Sequence, residues 1–288
     1  MHASAPMIRL LSLDIDGTIL DSHGQLPPAN REAIGLAIEA GVEVALATGR
    51  RFDFARPIID ALPRPLTLIL SNGAVVKRDD GTTEMRQLLP REVARYVLVS
   101  TPDARDTAAL VFDRPLAGQV VFERIDWEHP RHRPFFEANR RFLAEQQPLE
   151  DALTEDPLQV MFTGRCADMR ALFERLRSEA ADPAAPDFTV ALTEYLHRDF
   201  SLVDVTRCGC TKGSTLSAWA AARGYSRDEV MAIGDNLNDL EMLEFAGRPV
   251  VMGNALDELK TRGWPVTATN DEAGVARAIE TFILEPAS

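Results

Sequence analysis

The chain has 288 residues, of which 45% are hydrophobic and 26% charged; this balance is typical of folded globular proteins and excludes a disordered one. Its net charge of −13 argues against a nucleic-acid or acidic-membrane partner. No apolar run approaches the roughly 20 residues that span a bilayer, and the first residues lack the pattern of a secretory signal. Three cysteines are too few for a disulfide framework, so we expect a reducing, cytoplasmic location.

Predicted strands and helices alternate in the first part of the chain. A nearly continuous apolar run at residues 8–15 is typical of a strand that is buried on both faces of a parallel sheet. The further predicted elements here are a helix at 29–40, a strand at 42–47, a helix at 52–62 and a strand at 67–70. This spacing is that of βαβ units.

The pattern changes at about residue 78. The predicted elements of the middle segment are strands at 108–112, 119–123, 158–163 and 188–192, and helices at 135–147 and 167–180. Short strands among helices, with segments rich in proline and charge between them, indicate an inserted α+β domain with an antiparallel or mixed sheet.

The alternation of helices and strands resumes at about residue 202. The predicted elements are helices at 212–223, 238–245 and 271–284, and strands at 230–234 and 249–252. We therefore predict an α/β fold: a Rossmann-like, doubly wound parallel-sheet core, interrupted by the α+β insert. The predicted domain limits are 1–83 for the first part of the core, 84–194 for the insert and 195–288 for the second part.

The sequence DIDGT, residues 14–18, directly follows the first predicted strand. Ligands of open parallel sheets bind beyond the carboxyl ends of the strands, which is where Asp14 and Asp16 fall. A second acidic cluster, GDNLND, begins at the end of a later strand and contains Asp235 and Asp239. Together, Asp14, Asp16 and Asp235 predict a site of oxygen ligands, the type that Mg²⁺ prefers.

Groups suited to an anion lie between these two acidic motifs. ATGR places the Thr48 hydroxyl just before a predicted helix, where exposed amides favour negative charge. Lys212 stands at another helix start, where a cation is unfavourable without a ligand. Arginines 50 and 51, beside Thr48, are candidates to reach a second anionic group.

These residue types favour phosphoryl transfer. A phosphate ester repels a carboxylate, so the site needs a divalent metal and a cation. Attack by one carboxylate would form an acyl-phosphate intermediate, while a second carboxyl would move the protons. Asp14 and Asp16 suit these two roles.

DIDGT, TGR, Lys212 and GDNLND, in this order, resemble the four motifs of the haloacid dehalogenase (HAD) superfamily, and most of all its Cof-type (HAD-IIB-like) hydrolases. SNGA at 71–74, VMGNA at 251–255 and NDEAGV at 270–275 are similar to that family's later signatures. The resemblance covers residues 7–85 and 195–284. It implies that the insert is a cap domain and that the chain is a phosphatase.

The resemblance also implies a role for each site residue. Asp14 would be the nucleophile and Asp16 the general acid and base. Mg²⁺ would be held by the carboxylates of Asp14 and Asp235 and by the backbone carbonyl of Asp16. The groups that would hold the phosphate are Thr48, Gly49, the Ile15 amide, Lys212 and Asn238. Asp239 would orient the lysine or metal-bound waters.

The sequence therefore predicts a Mg²⁺-dependent phosphatase of small phosphorylated metabolites, either sugar phosphates or phosphorylated cofactors, as a monomer or small homo-oligomer. Two alternatives stay open: a phosphomutase of related architecture, and a non-catalytic protein that binds phosphorylated metabolites. A phosphatase releases free phosphate, whereas a phosphomutase forms an isomer without releasing it. A non-catalytic binding protein would show no turnover.

Overall fold

The computed structural model describes residues 7–130 and 132–285. The strands are β1 Leu10–Leu13, β2 Glu43–Ala47, β3 Thr67–Leu70, β4 Val75–Arg78, β5 Thr83–Arg86, β6 Ala108–Val111, β7 Val120–Phe122, β8 Leu143–Glu145, β9 Gln159–Gly164, β10 Phe188–Tyr195, β11 Phe200–Arg207, β12 Val230–Gly234 and β13 Arg248–Val251. The helices are α1 Pro28–Glu39, α2 Phe52–Ala61, α3 Arg91–Ser100, α4 Arg133–Asn139, α5 Cys166–Ala180, α6 Lys212–Ala222, α7 Leu240–Phe245, α8 Asp257–Lys260 and α9 Gly274–Ile279.

The chain divides into two compact units, of which the first comprises Met1–Arg86 and Thr211–Ser288. Within its described residues, seven strands form one sheet in the order β13-β12-β1-β2-β3-β4-β5. The strands from β13 to β3 are parallel, and β4 and β5 continue the sheet in antiparallel fashion. β1, the middle one of the five parallel strands, pairs with β12 on one side and β2 on the other, which brings the ends of these strands to one edge.

Apolar burial explains why β1 lies at the centre of the five parallel strands. Every residue of β1 is buried, as its nearly continuous apolar run predicts for a strand covered on both faces. Helix α1 packs against α9, and α6 packs against α7, so the helices come from both segments of the unit. The predicted α/β fold with a parallel-sheet core is therefore confirmed.

The second unit is Gln87–Cys210. The described part of it contains a six-stranded sheet in the order β10-β11-β9-β6-β7-β8. All neighbouring strands are antiparallel except the pair β7 and β8. Helix α5 packs on β10 and β11 and buries Met169, Leu172 and Leu176, which recur at helical spacing along one face.

Two predicted stretches differ from the structure, which also contains elements that the sequence analysis did not predict, among them β4, β5 and α3. The predicted helix at 135–147 was wrong, because α4 ends at Asn139 and β8 follows a tight turn. The Glu145 carboxylate accepts a hydrogen bond from the Ile125 amide at 2.7 Å, a contact distant in sequence that local periodicity does not reveal. Residues 195–210, which we expected in the core, lie in the second unit because β11 pairs with β10 and β9.

The limits of the predicted domains extend into residues 1–6 and 286–288, which lie outside the described residues.

Cys166, Cys208 and Cys210 all carry free thiols. Among the helices of the described ranges, none has the length and apolar character needed to cross a bilayer.

Candidate active site

The first acidic motif forms a sharp loop at the end of β1. The Asp14 amide donates to the carbonyl of Ile233 at 3.1 Å, which continues the pairing of β1 with β12 by one residue. The chain then makes a wide turn over Ile15–Ile19 and reverses at Gly17, whose φ of +82° favours glycine. A Cβ at this position would lie 2.9 Å from Cγ of Asp235, so the close approach of the two acidic loops also requires glycine.

Lys212 enters the site from the first residue of α6. Thr211 and Ser214 cap this helix reciprocally: the Ser214 amide donates to Thr211 Oγ1 at 3.0 Å, and the Thr211 amide donates to Ser214 Oγ at 2.9 Å. The Lys212 ammonium donates to Asp14 Oδ1 at 2.6 Å and to Asp239 Oδ1 at 2.7 Å, and its side chain is 0% exposed. Such a buried ammonium is stable because it is paired.

Asp239 organises the second acidic loop. Its Oδ2 accepts from the amides of Asp235 at 3.0 Å and Asn236 at 3.1 Å, while its Oδ1 accepts from Lys212. Both of its oxygens are thus engaged by the protein. This arrangement fits the predicted role of a residue that orients the lysine.

Asp235 faces Asp14 across the junction of the loops. The Thr18 hydroxyl donates to Asp235 Oδ1 at 2.9 Å, a contact that sequence reasoning missed although Thr18 belongs to the DIDGT motif. Asp14, Asp235 and Asp239 each bring a carboxylate oxygen within 4.8 Å of the others. Three buried carboxylates against one ammonium leave an excess of negative charge, and this set of hard oxygen donors fits Mg²⁺.

This excess of negative charge helps to raise the pKa of two of the carboxylates. Burial, and next the negative charge of Asp239, raise the pKa of Asp14 to about 7 despite the opposing effect of Lys212. Burial and the charge of Asp14 raise the pKa of Asp235 well above its usual value. Burial alone would lower the pKa of Lys212, but the charges of Asp14 and Asp239 outweigh it and move this pKa above its usual range. A bound cation would favour the ionised carboxylates.

Three predicted phosphate-binding residues lie around neighbouring loops of this unit. Thr48 follows β2, and its Oγ1 accepts from the Arg50 amide at 3.1 Å while its carbonyl accepts from the Asn72 amide at 3.0 Å. A Cβ at Gly49 would lie 3.3 Å from Asn72 Oδ1. Asn238 donates from Nδ2 to that same oxygen at 3.1 Å, and within the described chain its buried Oδ1 has no hydrogen-bond partner.

The expected role of Arg50 needs correction. The sequence suggested that Arg50 reaches a second anionic group of a ligand, whereas its guanidinium binds Asp16: Nε donates to Oδ2 at 2.7 Å and Nη2 to Oδ1 at 2.6 Å. No spacing rule links residues 34 positions apart, so sequence patterns do not indicate this pair. Neighbouring Arg51 is buried, with its guanidinium 5.7 Å from the centre of the Phe54 ring.

Asparagines of the VMGNA and NDEAGV motifs bind the backbone of the first acidic loop. Asn254 donates from Nδ2 to the carbonyl of Gly17 at 2.8 Å, and Asn254 Oδ1 accepts from the amide of Asn270 at 2.9 Å. Asn270 also donates from Nδ2 to the carbonyl of Leu20 at 2.9 Å. These asparagines satisfy backbone groups of the turn, so they fix its shape.

Among the predicted site residues, Asp14, Lys212, Asp235 and Asp239 thus lie in mutual contact or within one cluster. Asp16 and the amide of Ile15 belong to the loop that follows Asp14, and Asp16 is held by Arg50. The carboxylate of Asp16 is not part of the acidic cluster; its predicted metal ligand is the backbone carbonyl.

Comparisons with known proteins agree with the motif resemblance. Residues 11–279 match the family model described as haloacid dehalogenase-like hydrolase. The pyridoxal phosphate phosphatase YbhA of Escherichia coli is 29% identical, over 96% of this chain and 99% of that protein. An HMP-PP phosphatase of Citrobacter koseri is 30% identical, over 88% of this chain and 87% of its own length.

Solved structures give the same result. A haloacid dehalogenase-like hydrolase from Bacteroides thetaiotaomicron matches with a TM-score of 0.74 at 26% identity, covering 95% of this chain and 98% of that one. A haloacid dehalogenase-like hydrolase from B. subtilis shares the fold with a TM-score of 0.79 at 23% identity, covering 96% of this chain and 100% of that one. The predictions of the superfamily and of a hydrolytic enzyme are confirmed: this chain belongs to the haloacid dehalogenase-like hydrolases.

Proposed function

We propose that this enzyme is a Mg²⁺-dependent phosphatase of small phosphorylated metabolites that works through an aspartyl-phosphate intermediate. The observation that carries the proposal is the buried contact of Lys212 with Asp14, directly beyond the end of β1. An ammonium in this place can neutralise a phosphate next to the carboxylate that attacks it. Asp14 Oδ1 accepts the hydrogen bond from Lys212, so we assign Oδ2 as the attacking oxygen.

The reaction has two balanced steps. In the first, Asp14 Oδ2 forms a bond to phosphorus, the bond from phosphorus to the ester oxygen breaks, and Asp16 gives that oxygen a proton. In the second, a water oxygen bonds to phosphorus, the bond to Asp14 breaks, and Asp16 takes a proton from the water. Inorganic phosphate and an alcohol are the products, and Asp16 returns to its starting state.

The phosphate would be held by groups from several loops of the first unit. We assign this role to the Thr48 hydroxyl, Gly49, the Ile15 amide, Lys212 and Asn238. The buried, unpartnered Oδ1 of Asn238 supports the assignment, because a buried polar atom of this kind calls for a partner that the described chain does not supply. Lys212 would serve both Asp14 and the substrate.

Mg²⁺ would be held by Asp14, Asp235 and the carbonyl of Asp16. When bound, the ion would neutralise charge on the phosphoryl oxygens. Asp239 supports this arrangement from outside, since both of its oxygens already bind the lysine and the amides of its own loop. Asp14 and Asp235 are therefore the two carboxylates of the cluster that we assign to the ion.

The substrate class is proposed from the relatives. Their names include a pyridoxal phosphate phosphatase, an HMP-PP phosphatase and, in Bacillus subtilis, a 5-amino-6-(5-phospho-D-ribitylamino)uracil phosphatase. We propose a phosphorylated cofactor, cofactor precursor or sugar phosphate as the substrate. We further propose that the second unit, Gln87–Cys210, is a cap domain that selects it, because caps vary in sequence while the catalytic core is shared. The cytoplasmic location and the small oligomeric state stay predictions.

A phosphate-release screen tests this proposal. Purified enzyme is assayed with Mg²⁺ against sugar phosphates, nucleotides, pyridoxal 5′-phosphate and flavin mononucleotide, and the hits are ranked by kcat/KM. We expect turnover that EDTA abolishes and Mg²⁺ restores. Asp14→Asn should be inactive, and Asp257→Asn, whose side chain is 99% exposed, should match the wild type. Isomerised product without free phosphate would indicate a mutase, and binding without turnover would refute catalysis.

A further inference from the structure

Arg50 and Asp16 form a bidentate ion pair within the first unit. Arg50 Nε and Nη2 donate to the two different carboxylate oxygens at 2.7 and 2.6 Å. The side chains are 18% and 28% exposed, so the pair is largely shielded from water. A planar guanidinium that donates to both oxygens, here called the fork, fixes the position and the rotation of the carboxylate. A single hydrogen bond would leave the rotation free.

The arginine is itself held by its surroundings. Its guanidinium lies 4.5 Å from the centre of the Phe54 ring, and Nη1 donates to the Phe54 carbonyl at 3.4 Å. Its amide donates to Thr48 Oγ1 at 3.1 Å, and its carbonyl accepts from the Ser71 amide at 3.1 Å. The first turn of α2 and the Thr48 loop therefore support the guanidinium, and through it the orientation of Asp16.

We infer that Arg50 is a positioning residue that orients the Asp16 carboxylate for proton transfer, an inference that rests on the proposed function. The two oxygens of a carboxyl group offer about four positions for protons or hydrogen bonds, and the guanidinium occupies two of them. Asp16 starts the reaction with its transferable proton on one of the others. The remaining positions serve the two proton transfers: the proton given to the ester oxygen as its bond to phosphorus breaks, and the proton taken from water as the bond to Asp14 breaks. A lysine would supply charge at this place without the fork.

The inference predicts a dependence on the leaving group. An alkoxide is a poor leaving group and needs the proton from Asp16, whereas p-nitrophenolate leaves without one. The ratio kcat/KM covers the steps through formation of the phosphoenzyme when that step is irreversible. Weakened orientation of Asp16 should therefore lower this ratio for alkyl phosphates much more than for p-nitrophenyl phosphate.

The test uses the 288-residue chain with Mg²⁺ and the variant Arg50→Lys. For the best alkyl monoester of the screen, kcat/KM should fall by about tenfold or more relative to its change for p-nitrophenyl phosphate. The matched control is Arg56→Lys, because Arg56 also pairs through Nε with both oxygens of an aspartate, Asp60, on the surface of α2. This control should leave both values unchanged. An equal fall for both substrates in Arg50→Lys would overturn the inference, since it would indicate a general structural effect.

A double-mutant cycle with Asp16→Asn separates the positioning role of Arg50 from the acid–base role of Asp16. If Arg50 acts through Asp16, adding Arg50→Lys to Asp16→Asn should cause no further loss with the alkyl substrate. A full additional loss would overturn the inference and leave the proposed function standing. Wild-type alkyl turnover by Asp16→Asn alone would instead refute the acid–base role of Asp16, and the inference with it.

Discussion

Substitution of the nucleophile should abolish activity and yet stabilise the metal-free protein. Asp14 is buried with Asp235 and Asp239, and their three carboxylates share the single ammonium of Lys212. Asp14→Asn keeps the volume and an oxygen that can accept from Lys212, but it removes one of the crowded charges. We therefore expect a higher free energy of unfolding in EDTA at pH 8.

The raised pKa of Asp14 gives the size and sign of this effect. Its pKa is 3.8 as a reference for the unfolded chain and about 7 in the folded protein. The folded state therefore holds a proton that the unfolded state has lost, and stability falls as pH rises between these values. At about 1.4 kcal/mol per pH unit below the folded pKa, this unfavourable contribution grows by about 3 kcal/mol between pH 5 and pH 8 and levels off above that range.

Urea unfolding in EDTA at pH 5 and at pH 8 measures this directly. The stability of Asp14→Asn minus that of the wild type should be positive at pH 8 and should shrink by about 3 kcal/mol at pH 5. Asp257→Asn serves as the control, because its side chain is 99% exposed and its loss should change little. Equal stability of Asp14→Asn and the wild type at pH 8 would refute the charge-crowding explanation.

Three further substitutions test other parts of the structure. Lys212→Met leaves the carboxylates unneutralised, so it should lower the free energy of unfolding in EDTA by about 3–5 kcal/mol, measured in urea against Lys260→Met; no loss would contradict the buried pairing. Gly17→Ala forces a side chain into the loop at a φ of +82°, so activity and the Mg²⁺ affinity measured by calorimetry should both fall. The control is Gly24→Ala, at an exposed glycine, which should lower neither value. Glu43 accepts from Trp219, Arg223, Thr67 and Tyr225. Although burial raises the pKa of Glu43, hydrogen bonds from Trp219 and Arg223 outweigh this and lower it, so its stabilisation is present above pH 4.5 and is lost as pH falls. Glu43→Gln should therefore cost about 1–3 kcal/mol at pH 7 and less at pH 4, with Glu32→Gln as the control, and a loss that does not depend on pH would contradict this.

The sequence predicted the core well because its signals are local. Continuous apolar runs located β1 and β12, and the acidic motifs follow them directly. Ligands of parallel sheets gather at the carboxyl ends of strands, so chain order alone indicated that Asp14 and Asp235 lie close together. The clustering of their carboxylate oxygens within 4.8 Å is consistent with that expectation.

Features that depend on distant pairing were not predicted. The edge strand β8 looked like the continuation of a helix, and β11 looked like part of the core, because pairing with another strand decides both. The contact of Arg50 with Asp16 joins two loops that periodicity does not relate. Thr18 and Asn254 were visible as motif residues, but their partners, Asp235 and the Gly17 carbonyl, emerge only from the folded loops.

Chemical trapping of the phosphoenzyme tests the central claim most directly. The enzyme is mixed with its best substrate and Mg²⁺, quenched within milliseconds and reduced with borohydride, which converts an aspartyl phosphate to homoserine. Peptide mass spectrometry then locates the modified residue. The proposed mechanism predicts homoserine at position 14 and unmodified aspartate at positions 16, 235 and 239. Modification at another residue, or none during rapid turnover, would contradict nucleophilic attack by Asp14.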